Sequence, residues 1–386
     1  MDRRTLRNLD FLFIFITFLL LMASLLILST ASINVLKSDP MHYVKSQAIW
    51  IFIGIGAAAA IAVTDYEKWR TYRWWIYGFN LTLLLAVILF GDAAKGATRW
   101  IPTPFGFNIQ PSEFAKIFII LTLADFLADR KGKLNNYSDF IMPFLFVLPP
   151  MLLIFKQPDL GTTLVFVAIF IGMMFVAGAN PWKFGGLLLG GATIMGVALW
   201  LHFSTGLPWF LHKLEGLPLP MQEYQLRRLT IFMNPYGDMS GDGFHIIQSI
   251  WAIGSGGLWG KGYQMGTQGQ LNFLPEHHTD FIFSVVGEEF GFVGTITLLF
   301  LFLIFLLRSL SIALKARDTY GMLVTTGIVS MFTFHILINV GMTSGIMPVT
   351  GIPLPLISAG GSAMLANMAA VGLMLSVNLR SRRLMF

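Results

Sequence analysis

Long apolar runs recur along the chain, and they constrain its fold more than any other feature. From Phe11 onward, stretches of about 18 or more residues carry almost no charge, and each is long enough to cross roughly 30 Å of hydrocarbon. Backbone amides in hydrocarbon must be hydrogen-bonded internally, and these runs are too long for barrel strands. The sequence therefore predicts an all-α polytopic membrane protein, with the run that begins at Phe11 retained as its first span rather than cleaved as a signal peptide.

About ten transmembrane helices are expected, and residues 1–386 are predicted to form one membrane domain. The predicted spans are residues 10–30, 46–64, 74–91, 112–128, 140–156, 160–178, 183–202, 280–307, 322–341 and 359–379. A large extracytoplasmic loop, residues 203–279, separates the seventh and eighth spans. Its stretches LPWFLHKL and FHIIQSIWAIGSGGLWG are predicted to be short interfacial helices.

The basic residues report on topology. When the spans alternate, sixteen of the 26 Lys and Arg residues fall on the side of the N-terminus, which predicts that both termini are cytoplasmic and that the protein lies in the cell membrane. They form small groups between apolar runs and no single stripe, which excludes a nucleic-acid surface. The absence of cysteine excludes disulfides, thiolate metal sites and a cysteine nucleophile.

The most conspicuous polar segment, Pro275 to Asp280, lies at the mouth of the eighth predicted span. A carboxylate beside hydrocarbon is suited to act as a general base, which is one interpretation of Asp280. The alternative is a helix N-cap, because Asp is favoured where a helix begins. Glu288 and Glu289, more than two turns further on, are expected to be mainly structural.

The acids and histidines of this segment are weak candidates for a metal site. The order Glu276, His277, His278 and Asp280 matches no zinc-binding spacing, so no metal ligand is assigned. A divalent cation held loosely by carboxylates, Mg²⁺ or Mn²⁺, stays open as the one candidate cofactor.

Other polar groups are expected at the same membrane level. Arg99 and Trp100 occupy an outer loop, Asp159 begins a span, and Glu113 and Lys116 are spaced to pair on one helical face and line a polar cavity. The cations Arg227 and Arg228 could hold a pyrophosphate. 

Two glycine-rich segments are the remaining candidates for the functional site. GSGGLWGKG does not fit a phosphate-binding P-loop, but its Lys261 could approach a phosphate. The stretch NVGMTSGIMPVTGIPLPLISAGGSA, which contains Ser358, is too rich in proline and glycine for a continuous helix and is predicted to shape a groove.

Six ordered motifs carry a family resemblance: RWI…NIQPSEFAK, QPDLGTT, RRLTIFMNP, QSIWAIGSGGLWGKG, LPEHHTDFIFSVVGEEFG and PVTGIPLPLISAGGS. With them the chain closely resembles the SEDS family of bacterial cell-wall polymerases, which contains RodA, FtsW and SpoVE. The resemblance implies a ten-span glycosyltransferase that polymerises lipid II on the outer face of the cytoplasmic membrane. QLNFLPEHHTDFIF and NIQPSEFAK are more similar to RodA, which implies a role in cell elongation and shape.

The resemblance also implies roles for residues and partners. It makes Asp280 the catalytic general base of an inverting transfer between undecaprenyl-pyrophosphate-linked glycan and lipid II. The residues expected to contact substrate are Arg99, Trp100, Glu113, Lys116, Asp159, Arg228, Lys261, His278 and Ser358. The implied partner is a class B penicillin-binding protein, a transpeptidase.

Three alternatives stay open at this point. The broken helices and intramembrane acids are also found in transporters, so a lipid II flippase is one alternative. A division or sporulation polymerase of the FtsW or SpoVE type is the second. The third is a scaffold that only recruits the transpeptidase.

Overall fold

The computed structural model describes residues 9–32, 41–94, 97–102, 108–203, 223–238, 241–270 and 277–381, most of which are helical. The helices are α1 (Phe11–Ala31), α2 (His42–Val63), α3 (Glu67–Thr71), α4 (Arg73–Phe90), α5 (Pro111–Ala128), α6 (Tyr137–Lys156), α7 (Leu160–Val176), α8 (Pro181–Phe203), α9 (Glu223–Met233), α10 (Asp242–Ser255), α11 (Thr267–Gln270), α12 (Ile282–Leu314), α13 (Thr319–Thr343) and α14 (Gly361–Leu379). The strands are β1 (Asp92–Ala94), β2 (Ala97–Pro102) and β3 (Asn108–Ile109).

Each of the ten predicted spans corresponds to one long helix, which confirms the polytopic all-α prediction. Eight of these helices are long and apolar enough to cross a membrane by length and hydropathy. The other two are α7, which has 17 residues, and α5, which carries three charged residues, Glu113, Lys116 and Asp125. The largest difference from the predicted ends is in α12, which ends at Leu314 rather than at residue 307.

The centre of the helix bundle is formed by α13 and α14, which are the most buried of the eight spans, whereas α8 is the least buried. Helix α14 packs along α2 at glycine contacts. A Cβ atom on Gly372 would lie 2.7 Å from the carbonyl oxygen of Ala58, and one on Gly54 would lie 2.8 Å from Cγ of Met368. Glycine at these positions allows the close backbone approach by which membrane helices gain van der Waals contact.

The prediction of an all-α chain missed a small antiparallel sheet in the order β1-β2-β3. Asp92 pairs with Trp100, and Ile101 pairs with Ile109. Strands of two to six residues are too short to show the alternating pattern from which strands are recognised. The sheet holds Arg99 and Trp100 next to the start of α5.

The predicted large loop contains ordered helices. Helix α10 covers FHIIQSIWAIGS of the predicted stretch FHIIQSIWAIGSGGLWG and packs against α12 with Ile246, Ile247 and Ala252 buried, which confirms a helix at this position. The remaining residues of the stretch, GGLWG, lie in the loop after the helix. Helix α9 carries Arg227 and Arg228. The stretch LPWFLHKL lies outside the described residues.

Helix α12 is interrupted at Gly291, where the loop 256–262 takes over its backbone hydrogen bonding. Gly291 has φ +63, a conformation that favours glycine. Four amide-to-carbonyl bonds join helix and loop: Phe292 to Gly257 (2.9 Å), Val293 to Leu258 (3.1 Å), Lys261 to Glu288 (2.9 Å) and Gly262 to Glu289 (3.0 Å). The loop backbone therefore supplies hydrogen-bond partners to α12 on both sides of Gly291.

The bundle end that holds residues 64–73 and 125–129 is rich in ion pairs. Asp125 is buried and accepts hydrogen bonds from Arg70 and Arg73, and Arg70 also binds Asp129 at 2.6 Å. The Tyr66 hydroxyl donates to Asp318 at 2.6 Å. Burial and this carboxylate raise the pKa of Tyr66 above its usual value, which keeps the hydroxyl protonated as a donor.

Candidate active site

Asp280 lies in the turn directly before α12. The helix begins at Ile282 with Phe281 at the N-cap position, so Asp280 does not occupy the N-cap. The helix-capping alternative for Asp280 is therefore not met. Its side chain is only partly buried, as a group that meets a substrate requires.

Asp280 and Arg228 face the same glycine of the connection between α13 and α14. A Cβ atom on Gly351 would lie 3.4 Å from Oδ2 of Asp280 and 3.9 Å from Nη1 of Arg228. Gly351 has φ +74, which L-residues rarely adopt, and its missing side chain leaves room beside both charged groups. A small cavity here is lined by Arg228, Ile231, His245, Ile246, Phe281 and Val349.

The backbone before Asp280 is held by the turn that leads into α14. The amide of Ala359 donates to the carbonyl oxygen of His278 at 3.0 Å, and the hydroxyl of Ser358 donates to that of Thr279 at 2.7 Å. Two of the predicted substrate contacts, His278 and Ser358, therefore lie beside Asp280. Their contact with substrate stays a prediction.

Glu113 and Lys116 form the expected ion pair within α5. Nζ of Lys116 lies 2.9 Å from both carboxylate oxygens of Glu113, and both side chains are buried. The ammonium group is also 3.3 Å from Nε2 of His335 on α13. His335 lies one helical turn before Asn339, so the pair contacts the helix that leads to the α13–α14 connection.

Arg99 and Asp159 meet where α7 begins. Asp159 caps this helix by accepting from the amide and the hydroxyl of Thr162, at 3.1 and 2.9 Å. Nη1 of Arg99 lies 3.9 Å from Oδ1 of Asp159, and its guanidinium donates to the backbone oxygens of Gln157 and Pro158. Both residues thus join β2 to the turn between α6 and α7.

Lys261 forms an ion pair with Glu288 of α12. Its ammonium group lies 2.6 Å from Oε1 of Glu288 and 2.7 Å from the hydroxyl of Thr267. Glu288 also accepts from the backbone amides of Thr267 and Gln268, and Glu289 accepts from the amide of Gln264. These contacts support the expectation that Glu288 and Glu289 are mainly structural.

The histidine pair shows no metal-binding arrangement. The rings of His277 and His278 are nearly perpendicular with centroids 5.8 Å apart, and His278 packs against Tyr43 at 4.4 Å. Within the described ranges, no group of three or more His, Cys, Asp or Glu side chains could hold a metal ion. Glu276 lies outside those ranges, and the divalent cation stays a prediction.

The predicted residues thus fall into three groups. Asp280 and Arg228 meet beside Gly351, and His278 and Ser358 belong to the hydrogen-bonded turn before Asp280. Glu113 and Lys116 form a buried pair in contact with His335, and Arg99, Asp159 and the partly exposed Trp100 lie at the sheet. Lys261 stands apart from these three groups, in an ion pair with Glu288. Sequence reasoning missed His335, Asn339 and Gly351. The first two could have been found as polar residues within an apolar span, where such residues are functional candidates.

Comparison with known families agrees with the motifs. The FtsW/RodA/SpoVE family model, described as "Cell cycle protein", matches residues 10–383. Stage V sporulation protein E of Bacillus subtilis is 38% identical over 379 residues, covering 97% of this chain and 98% of that protein. Peptidoglycan glycosyltransferase MrdB of Escherichia coli is 36% identical over 371 residues, covering 95% and 94%.

Solved structures share the fold. A chain in a peptidoglycan synthase complex, described as coordinating polymerization and crosslinking, superposes with a TM-score of 0.77 at 30% identity and covers 96% of this chain and 97% of that one. The rod shape determining protein RodA of Thermus thermophilus superposes with a TM-score of 0.66 at 28% identity, covering 97% and 98%.

Proposed function

The chain belongs to the FtsW/RodA/SpoVE family, and we propose that this peptidoglycan glycosyltransferase polymerises lipid II with Asp280 as its general base. The observation that supports this assignment most directly is the placement of the Asp280 carboxylate and the Arg228 guanidinium beside Gly351. One group can accept a proton, and the other can bind the charge that develops on a leaving group.

The reaction follows from those two roles. Asp280 removes the proton of the acceptor 4-hydroxyl, and the oxygen attacks the anomeric carbon of the donor glycan. The bond from that carbon to the pyrophosphate oxygen breaks, and its electron pair leaves with undecaprenyl pyrophosphate. Attack opposite an α-linked leaving group forms a β-linked product by inversion.

Arg228 is better placed than Lys116 to stabilise the leaving group. Its guanidinium lies near the same glycine as Asp280, and its planar fork suits bidentate binding of phosphate. Lys116 is buried against both oxygens of Glu113, so its charge is already compensated. A divalent cation at the pyrophosphate is a further part of the proposal and needs its own titration with Mg²⁺ and Mn²⁺.

The proposed site faces outward, with both termini in the cytoplasm. The supporting observation is the bias of Lys and Arg toward the loops on the side of the N-terminus. The proposed partner is a class B penicillin-binding protein, because the superposed chain comes from a complex described as coordinating polymerization and crosslinking. The RodA-like motifs favour a role in elongation and cell shape over the division and sporulation alternatives.

The deciding experiment measures polymer formation from labelled lipid II by the purified full chain in detergent. We expect Asp280→Asn and Asp280→Ala to lower the rate by about 10² to 10⁴-fold, the usual contribution of a general base. Asp129→Asn, a charge change in the ion-pair network at the other bundle end, is the matched control and should retain the rate of the unmodified chain.

Full polymerisation by Asp280→Asn would refute the general base, because an amide cannot accept the proton. The unmodified chain and its variants could all fail to make polymer while lipid II crosses vesicle bilayers that contain the protein. That result would replace the polymerase with the flippase alternative. If polymer formation requires an added transpeptidase, the variants are compared in that mixture. If Asp280→Asn abolishes polymer formation there as well, the chain is the polymerase and not a scaffold that only recruits the transpeptidase.

A further inference from the structure

The carbonyl groups of residues 278–280 accept three hydrogen bonds in succession. The donors are the amide of Ala359 at 3.0 Å, the hydroxyl of Ser358 at 2.7 Å and Nδ2 of Asn339 at 2.8 Å. All three belong to α13 or to the turn before α14, and none belongs to α12. The segment that carries Asp280 is therefore fixed by other parts of the chain and not only by the helix it precedes.

Asn339 makes the last of these bonds, and it makes a second one. Its Nδ2 group also donates to the carbonyl oxygen of Ile352 at 2.8 Å, and its side chain is completely buried. Ile352 follows Gly351, the residue that faces the Asp280 carboxylate and Arg228. The side-chain amide of Asn339 thus bonds both the backbone of Asp280, the proposed base, and the backbone of Ile352, next to Gly351.

His335 lies one helical turn before Asn339 on the same face of α13. Nζ of Lys116 lies 3.3 Å from its Nε2 atom, and because an ammonium group only donates, Nε2 is the acceptor. The buried pair of Glu113 and Lys116 therefore contacts the helix that carries Asn339.

We propose that Asn339 is a positioning residue that sets the distance and orientation of Asp280 relative to the backbone of Gly351 and Ile352. The proposal rests on the proposed role of Asp280 as the general base. Proton abstraction needs hydrogen-bond reach, and a displacement of about 1 Å can lower a rate by roughly 10²-fold. Without the amide, the Asp280 turn and the backbone next to Gly351 lose a buried side chain that bonds both, and the carboxylate can move away from the acceptor hydroxyl.

The test compares Asn339→Leu, which removes both donors at similar size, with Asn339→Gln, which returns an amide on a longer arm. Asn80→Leu in α4 is the matched control, because both polar atoms of Asn80 are buried without a hydrogen-bond partner. We measure kcat and KM for lipid II in detergent per folded molecule, with the folded fraction taken from thermal melting. We expect kcat to fall by about 30- to 100-fold in Asn339→Leu, with KM within about threefold.

Asn339→Gln should recover at least about threefold of the lost kcat, and Asn80→Leu should keep the unmodified rate within about twofold. The proposal is overturned if Asn339→Leu keeps its kcat, if the loss lies in KM alone, or if Asn339→Gln is no better than Asn339→Leu. Asp280→Asn in the same assay separates the two proposals. Full activity of that variant removes the general base, whereas an inactive Asp280→Asn beside an unaffected Asn339→Leu removes only the positioning role.

Discussion

The two ends of the helix bundle use their polar side chains in different ways. At the end that holds Asp125, acidic side chains bind basic side chains or a tyrosine, as in the contacts of Asp125 with Arg70 and Arg73. Ion pairs such as that of Lys261 with Glu288 also occur at the end that holds Asp280. Around Asp280 itself, however, neutral side chains such as Ser358 and Asn339 bind backbone carbonyls. The contacts of Asp125 compensate its charge, whereas the contacts around Asp280 fix the main chain that carries its carboxylate.

This difference separates contacts that compensate a charge from contacts that position one. Asp125 has two guanidinium partners, which suits a role in stability. At Asp280, three hydrogen bonds to the backbone hold the segment, and the carboxylate faces Gly351. Substitutions at the two ends should therefore separate activity from stability.

The largest effect in this comparison is expected from Gly351→Ala. The added Cβ atom would lie 3.4 Å from Oδ2 of Asp280, in the room that glycine leaves beside both charged groups, and φ +74 adds strain of about 1 to 2 kcal/mol. We expect a fall in polymerisation rate of about 10²-fold, which corresponds to roughly 2.7 kcal/mol in activation free energy. Polymer formation from lipid II is the measurement.

Gly132→Ala is the control for this substitution. Gly132 has φ +79, and a Cβ atom there would meet nothing within 4 Å, so it carries the strain without the contact. A similar loss of activity in both variants would show that backbone strain alone explains the effect, and the comparison of the two ends would then fail for this residue.

Asp125→Asn should lower stability with little effect on the rate per folded molecule. The amide nitrogen cannot accept from Arg73, and each hydrogen bond to a charged group contributes about 1.5 to 3 kcal/mol. We expect the midpoint of thermal unfolding in detergent to fall by several degrees. Asp129→Asn removes partners of the same arginines at an exposed position and should have a smaller effect; the reverse order would contradict the role of burial.

The smallest effect is expected from Arg317→Gln. Arg317 pairs with Glu67, and both side chains are largely exposed, so solvent screens the pair. Surface pairs of this kind contribute about 0 to 1 kcal/mol, and we expect unfolding midpoint and activity to be nearly unchanged. A loss of activity comparable to that of Gly351→Ala would show that the ion-pair end is coupled to the site.

The sequence predicted the helices well because each span has to be apolar over its whole length. The sheet at Arg99 was missed because strands such as Asn108–Ile109 bury no alternating face and depend on pairing. A helix was predicted in FHIIQSIWAIGSGGLWG, and α10 confirms it as far as Ser255, since its apolar residues recur at helical spacing and pack on α12. Its position at the membrane interface stays a prediction.

The candidate site was predictable only in part. Asp280 stands out because a charged residue next to a span is costly, and the motifs gave it a proposed role. The proximity of Gly351 and Asp280 joins residues 71 positions apart and has no local signal in the sequence. Asn339 could have been singled out as a polar residue in an apolar span, but one amide in such a helix gives no indication of which backbone groups it will meet.

The interruption of α12 has a consequence for engineering the protein. The loop 256–262 contains exposed Leu258 and Trp259 and several glycines, and it would be a natural choice for inserting an epitope tag or a fluorescent reporter. Its amides and carbonyls complete the helix around Gly291, so an insertion there would open a transmembrane segment. The turn at Gly132, where added atoms meet open space, is the better place for such a label.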